Sequence, residues 1–221
     1  MFSNAQRKSE RLNSGLPDFI TTNTYNLIIG AVVLYGFIIN AIMVATCGPL
    51  FANMNMIAFL VGYFVLVLLG TFITRSNNPI ASFVGYNLVV VPIGAVVSVC
   101  IPGYDNSAIL SAIIVTGIVV AVMILISASF PKVFAKMGGA LFVALLVSFV
   151  AELVASLLGY GGDIFNWLFV VLFSLYIGYD WHKAQIYPKT IDNAIDSALD
   201  IYLDIINLFL RLLQLFSRSD D

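Results

Sequence analysis

The residues of this sequence that could do chemistry are a few ionisable side chains lying within or at the ends of long apolar runs. An ionisable group inside a bilayer costs about 2.5–3.5 kcal/mol on insertion scales, so each needs a partner or a function. Two lie apart from the rest: Glu152 is in the fifth apolar run, and Arg75 closes the second. The others belong to the last two apolar runs and are Asp180, Asp196, Asp200, Asp204 and Arg211.

Asp180 and Asp204 are the pair with the clearest potential chemistry. They are separated by 24 residues, so a helical hairpin can bring them side by side below one membrane surface. Two close carboxylates in a low dielectric cannot both ionise cheaply, so they share one proton. Such a pair can sense protons, and when deprotonated it offers hard oxygen ligands to a divalent cation such as calcium. The alternative is that Asp180 is solvated in the headgroup region.

The last apolar run carries a polar stripe. At about 100° per residue, six polar side chains share an arc of about 80°. One interpretation is an amphipathic helix lying on the membrane surface. The other is a spanning helix within a bundle, with its stripe facing a cavity or pathway. Three aspartates near its start, next to an anionic leaflet, favour the second interpretation. The stripe consists of Asp196, Asp200, Asp204, Asn207, Arg211 and Gln214.

Composition identifies the environment that these charges meet. The chain has 221 residues, of which 61% are hydrophobic and only 10% charged. A soluble domain has about 45–50% apolar and about 25% charged residues, so this composition excludes an ordinary soluble enzyme and a disordered chain. The net charge of −2 leaves no basic face for nucleic acid. A polytopic all-α membrane protein remains, with the lipid bilayer as its first partner.

Apolar runs of about 20 residues, enough to cross about 30 Å of hydrocarbon, recur along the chain. The connections between them are short, which predicts one transmembrane domain over residues 1–221, with a cytoplasmic tail at 1–23. The predicted spans are 24–45, 55–74, 80–101, 108–130, 138–158, 164–182 and the charged 195–216.

The distribution of Lys and Arg predicts the orientation. Eight of the ten lie in the N-terminal tail or in the loops after spans two, four and six. Because cytoplasmic loops carry the excess of Lys and Arg, we expect the N-terminus to be cytoplasmic. The eight residues are Arg7, Lys8, Arg11, Arg75, Lys132, Lys136, Lys183 and Lys189.

Two segments of this sequence are distinctive. They are FSLYIGYD at residues 173–180 and ALDIYLDIINLFLRLL at residues 198–213. Together they resemble the Bax inhibitor-1 (transmembrane Bax inhibitor motif) family, in particular its bacterial members. The resemblance implies seven helices, with the C-terminal helix central and sandwiched by the other six, in the plasma membrane of a bacterium.

The resemblance also implies a function, a pH-sensitive calcium leak. Asp180 and Asp204 match the family's di-aspartyl proton sensor, and Arg75 is the candidate for the arginine that latches to the first aspartate. Calcium is then the transported ion, and no tightly bound cofactor is expected. Pore candidates are Glu152 and four further polar residues of the stripe, namely Asp196, Asp200, Asn207 and Arg211.

Three other interpretations remain open at this stage. Buried acidic residues also suit a proton-coupled secondary transporter, and a protein that only binds other proteins is a further alternative. An intramembrane aspartyl protease uses two membrane aspartates, but its Gly-x-Gly-Asp signature fails at the first position of YGGD, residues 160–163. We therefore expect no enzymatic activity.

Cys47 and Cys100 could form a disulfide on an oxidising side, although isolated membrane thiols more often serve as small apolar residues.

Overall fold

The protein is described by a computed structural model over residues 19–52, 54–160 and 162–218. In these residues the chain forms seven long helices and no strand. Short helices at Gly48–Ala52 and Pro131–Phe134 and a 3₁₀ turn at Ile101–Gly103 lie in the connections. The long helices are α1 (Thr22–Thr46), α2 (Met56–Thr74), α3 (Pro79–Cys100), α4 (Asn106–Ser129), α5 (Gly138–Leu157), α6 (Asp163–Ile186) and α7 (Ile191–Arg218).

Several of these helices begin where the sequence supplies a capping side chain. Thr21 accepts a hydrogen bond from the Thr24 amide, and Asn55 accepts two from the first turn of α2. Asn78 caps α3, with Pro79 as the first helical residue. Each cap satisfies a backbone N–H that has no partner within its helix, and proline fits the first position because it has no N–H to satisfy.

Helices α1 to α6 are long and apolar enough to cross a membrane, and they correspond to the first six predicted runs. Helix α2 packs mainly against α3, and α5 mainly against α6. The remaining surfaces of both are apolar and exposed, with Phe72 of α2 and Leu153 of α5 as examples. Such a continuous apolar surface suits lipid and not water, so the chain is a helical, multi-pass integral membrane protein.

Helix α7 is enclosed by the others. It packs against α6, α1, α4 and α3, and more lightly against α2. No residue from Asp192 to Ser217 is exposed. Tyr202 and Leu208 are fully buried, and most of the other aromatic and aliphatic side chains of α7 are buried as well. This burial excludes the interpretation in which the striped helix lies on the membrane surface, because every side of it contacts protein.

Two ends of the bundle are distinguished by charge. We call the end that carries the α2–α3, α4–α5 and α6–α7 connections the basic end. The chain preceding α1 also lies there, since the Ile20 amide donates to the Lys189 carbonyl at 2.8 Å. We call the other the opposite end. The basic connections carry Arg75, Lys132, Lys136 and Lys189.

Near the basic end, α2 and α3 approach so closely that their backbones touch. A Cβ atom at Gly85 would lie within 3 Å of the Thr74 backbone nitrogen and the Gly70 carbonyl oxygen. Thr74 itself is fully buried. The atoms facing Gly85 are mostly backbone, so they cannot rotate aside as a flexible side chain would. This contact therefore fixes the basic-end part of α2 against α3.

We therefore expect Gly85→Ala to destabilise the protein by about 1–3 kcal/mol through overpacking. Gly62→Ala on α2 is the matched control, because a Cβ there would meet open space. In a helix, Gly→Ala alone stabilises by about 0.5–1 kcal/mol, so the two variants should shift in opposite directions. Thermal unfolding in detergent measures both, and a Gly85→Ala variant as stable as Gly62→Ala would contradict the contact.

Candidate functional site

The structure brings Asp180 of α6 and Asp204 of α7 into contact. The two carboxyl groups lie within hydrogen-bonding reach of each other, and the residues are only 8% and 7% exposed. Oδ2 of Asp204 is buried and receives no hydrogen bond from any described residue. A buried oxygen without a partner is costly, so the pair is the candidate site for proton binding.

A lysine lies beside this pair. Lys183 follows Asp180 by three residues on α6, and its Nζ lies 3.6 Å from Asp180 Oδ1. The same Nζ donates to Asp200 Oδ2 of α7 at 2.6 Å. We call Asp180, Lys183, Asp200 and Asp204 the dyad cluster. Three carboxylates and one ammonium carry a formal charge of −2, so binding one proton or one divalent cation relieves the repulsion among them.

The hairpin between α6 and α7 is held in register by polar contacts with α1. The Tyr25 hydroxyl is 2.9 Å from the Ser197 hydroxyl, and Gln185 donates to Asn26 at 3.0 Å. Lys189 in the connection donates to the last carbonyls of α6, and partial burial lowers the pKa of this lysine. These contacts fix the relative height of the two helices and hence the pairing of Asp180 with Asp204.

Arg75 lies at the basic end, not against Asp180. It is the exposed residue that ends α2, and it lines an open cavity of about 520 Å³ with Lys183, Asp192 and Asp196. Its charge acts on Asp196. Among the described residues, the cation within ion-pair distance of Asp180 is Lys183. The arrangement therefore differs from the Arg75–Asp180 latch that the resemblance implies.

The opposite end of α7 carries a second ionic cluster. Arg211 donates to both carboxylate oxygens of Glu152 on α5, with 2.8 Å between Nη2 and Oε2. It also donates to Asn166 Oδ1 of α6 at 3.0 Å, and its guanidinium lies 4.1 Å from the centre of the Phe169 ring. Glu152 thus has a clear structural partner, and the cluster joins α5, α6 and α7.

The polar stripe of α7 is therefore divided and not continuous. Asp196 lines the cavity at the basic end, and Asp200 and Asp204 belong to the dyad cluster. Arg211 belongs to the ionic cluster with Glu152 at the opposite end. Between them, the Asn207 side chain donates to the Leu203 carbonyl of its own helix at 2.7 Å. The polar side chains of α7 are therefore held by different partners along the length of the helix.

Sequence reasoning missed two members of these clusters, Lys183 and Asn166. The sequence predicts that Lys183 lies in the loop after a span ending at residue 182, but α6 continues to Ile186. Its i,i+3 spacing from Asp180 was the available signal. The pairing of Asn166 depends on how α6 rotates against α7, which no local pattern reports.

The described residues were also compared with the requirements of a metal site and of a disulfide. Within residues 19–52, 54–160 and 162–218, no group of three or more His, Cys, Asp or Glu side chains is placed to hold a metal ion. Asp180 and Asp204 alone would give a calcium ion two carboxylate ligands, fewer than a dedicated site provides. Cys47 and Cys100 are both free thiols.

Comparison with known proteins gives one result for nearly the whole chain. The family model described as "Inhibitor of apoptosis-promoting Bax1" matches residues 16–221. No curated protein matches the chain significantly. The matched range includes all seven long helices and both ionic clusters.

Proposed function

The chain belongs to the Bax inhibitor-1 family, and from this premise we propose that it is a calcium leak channel controlled by protonation of Asp180 and Asp204. The observation that carries the proposal is the contact between these two buried carboxyl groups, one oxygen of which has no described donor. They join α6 to the enclosed helix α7, so a change in their charge acts directly on the centre of the bundle.

The proposal includes seven membrane crossings. Helix α7 has 28 residues and is therefore about 42 Å long, enough to cross a bilayer within the other six helices. The excess of Lys and Arg at the basic end supports a cytoplasmic N-terminus. The bacterial plasma membrane is the location that the resemblance of the sequence implies.

In the closed state Asp180 of the Asp180–Asp204 dyad is ionised, and Lys183 holds Asp180 and Asp200 together across α6 and α7. Arg75 at the end of α2 attracts the acidic start of α7, where Asp196 lines the same cavity. Protonation of the dyad weakens the attraction of the cluster for cations, which loosens this end of the bundle. In this scheme Arg75 attracts Asp196, and not Asp180, in the closed state.

In this scheme α2 is the helix that moves relative to α7. It is the least buried of the six apolar helices and contacts α7 only lightly. Its close backbone contact at Gly85 makes α3 the surface against which it pivots. Calcium would then enter past the carboxylates of the stripe, while opening of the Arg211–Glu152 pair would complete the path at the opposite end.

Calcium flux in liposomes tests the function directly. We expect purified protein to release entrapped calcium faster as the pH falls, because protonation opens the gate. Protein-free liposomes and a protein sample heated above its unfolding temperature give the background. Absence of calcium flux at every pH between 5 and 8 would refute the leak channel.

A proton-coupled transporter is the second candidate, favoured by the open cavity at the basic end. That cavity presents both signs of charge, with Arg75 and Lys183 facing Asp192 and Asp196, which suits a small zwitterionic solute. Saturable proton uptake that depends on an added solute, without calcium flux, would favour the transporter over the channel.

A further inference from the structure

The open cavity at the basic end is lined by charged side chains that have no direct partner in the protein. Its charged lining residues are Arg75, Lys183, Asp192 and Asp196, and Lys183 is already bonded to Asp200. Among the residues that the structure describes, the side chains of the other three form no hydrogen bond or ion pair. The cavity therefore offers one cation and two carboxylates to a ligand.

The positions of these three side chains indicate the charges that a ligand needs. Asp192 and Asp196 lie one turn apart on α7, and residues at this spacing have Cβ atoms about 5–6 Å apart on one face of a helix. One ammonium group can therefore donate to both carboxylates. Arg75 lines the same cavity from the end of α2, and a guanidinium can donate two parallel hydrogen bonds to a phosphate.

The level of the cavity along α2 is that of lipid headgroups. Helix α2 has 19 residues and is about 28 Å long, close to the roughly 30 Å of hydrocarbon in a bilayer. Arg75 follows its last residue and so lies at the level of the lipid phosphates. One and two turns earlier, Phe72 and Leu68 are 80% and 69% exposed, which suits contact with acyl chains.

The cavity is also accessible from the side of the bundle. It is bordered by the end of α2 and the end of α6, and α6 is not among the helices against which α2 mainly packs. Ile186, the last residue of α6, is 67% exposed beside the lining residue Tyr187. Apolar surface thus flanks the charged lining, as expected where a headgroup and its acyl chains meet the protein together.

We propose that this cavity binds the headgroup of a phospholipid that carries a primary ammonium group. The phosphate accepts from Arg75, the ammonium donates to Asp192 and Asp196, and the acyl chains lie in the bilayer against α2. A headgroup with a phosphate alone fits less well, because it brings no cation to the two carboxylates. This proposal rests on the same mixed charge that suits the transporter candidate, and it assigns the cavity to a lipid instead of a transported solute.

Native mass spectrometry of the purified protein in detergent measures the binding. The probes are phosphatidylethanolamine, phosphatidylcholine and phosphatidylglycerol with the same acyl chains. Phosphatidylcholine has methyl groups in place of the ammonium protons, and phosphatidylglycerol has no ammonium group. We expect phosphatidylethanolamine to bind about tenfold more tightly than either, the ratio that one lost hydrogen bond to a charged group gives.

Variants of the lining separate the site from general contact with lipid. Asp192→Asn combined with Asp196→Asn should abolish the preference for phosphatidylethanolamine over phosphatidylcholine. Arg75→Gln should weaken the binding of both lipids about tenfold. Lys132→Gln is the matched control, because Lys132 is an exposed cation at the same end that does not line the cavity. Each ratio of two lipids is measured within one variant, so a change in stability does not imitate it.

Equal binding of phosphatidylethanolamine and phosphatidylcholine by the wild type would overturn the proposal. A preference that survives the double asparagine variant, or an equal loss in Lys132→Gln and Arg75→Gln, would overturn it too. Glycerophosphoethanolamine has the same headgroup without acyl chains. If it displaces the lipid at an equal concentration, the cavity takes a soluble solute and the lipid assignment is wrong. The measurement involves no calcium flux, so its failure is distinguishable from failure of the leak channel.

Discussion

Asp204→Asn and Asp180→Asn should each remove the pH dependence of calcium flux. A gate controlled by one proton changes its open fraction by at most about tenfold per pH unit, and the wild type should follow such a curve. Asparagine has the shape of the protonated acid but cannot release a proton. Both variants should therefore give a flat pH profile, at the rate that the wild type reaches in acid.

The two substitutions differ in their surroundings, which sharpens the test. Asp180 retains Lys183 as a neighbour, whereas no described donor reaches Oδ2 of Asp204. Asp204→Asn therefore removes a carboxyl without leaving a cation unpaired. In Asp180→Asn, Lys183 keeps its bond to Asp200, so this variant should also remain folded.

Asp105→Asn is the matched control, because that carboxylate lies exposed in the α3–α4 connection at the opposite end. It should keep the full pH response. If both dyad variants keep it as well, the dyad is not the sensor. If only Asp180→Asn keeps it, Asp180 is not part of the sensor and the assignment of the pair is wrong.

The parts of the fold that depend on local pattern could be predicted from the sequence. Six apolar runs gave six apolar helices, because hydrophobic length alone decides whether a segment can cross a bilayer. The periodicity of the last run identified a helix with a polar stripe, and its enclosure followed from the three aspartates near its start. The observed helices differ from the predicted spans by a few residues at their ends. Because α6 extends to Ile186, it includes Lys183.

Partners across helices could not be predicted in the same way. Nothing local to Glu152 identifies Arg211, 59 residues later, because their meeting depends on the rotation of α5 and α7 about their axes. For the same reason Arg75 lies near Asp196 and not against Asp180.

Glu152→Leu should strongly destabilise the protein. It leaves the Arg211 guanidinium, whose side chain is 16% exposed, without its carboxylate partner. Removing one member of a buried pair costs about 3–5 kcal/mol. Because the Glu152 side chain is 31% exposed, water and Asn166 offset part of this, and we expect a loss of about 2–4 kcal/mol in chemical unfolding in detergent.

The double variant Glu152→Leu with Arg211→Leu distinguishes a buried charge from a lost contact. An apolar pair of similar size is often neutral or even stabilising in place of a buried ion pair, so the double variant should be more stable than Glu152→Leu alone. The non-additive part of this cycle measures the coupling of the two side chains. If the double variant loses the sum of the two single losses, the pair is not coupled.

The consequence of this pair extends to the arrangement of the helices. Helix α5 packs mainly against α6, so the bidentate contact with Arg211 is its main polar link to the enclosed helix α7. Lysine cannot form the same fork with Glu152 while also reaching Asn166, because its ammonium is a single point of charge. Arg211→Lys should therefore retain the charge but lose part of the stability, about 1–2 kcal/mol. An Arg211→Lys variant as stable as the wild type would mean that charge alone, and not the fork, holds α5 to α7.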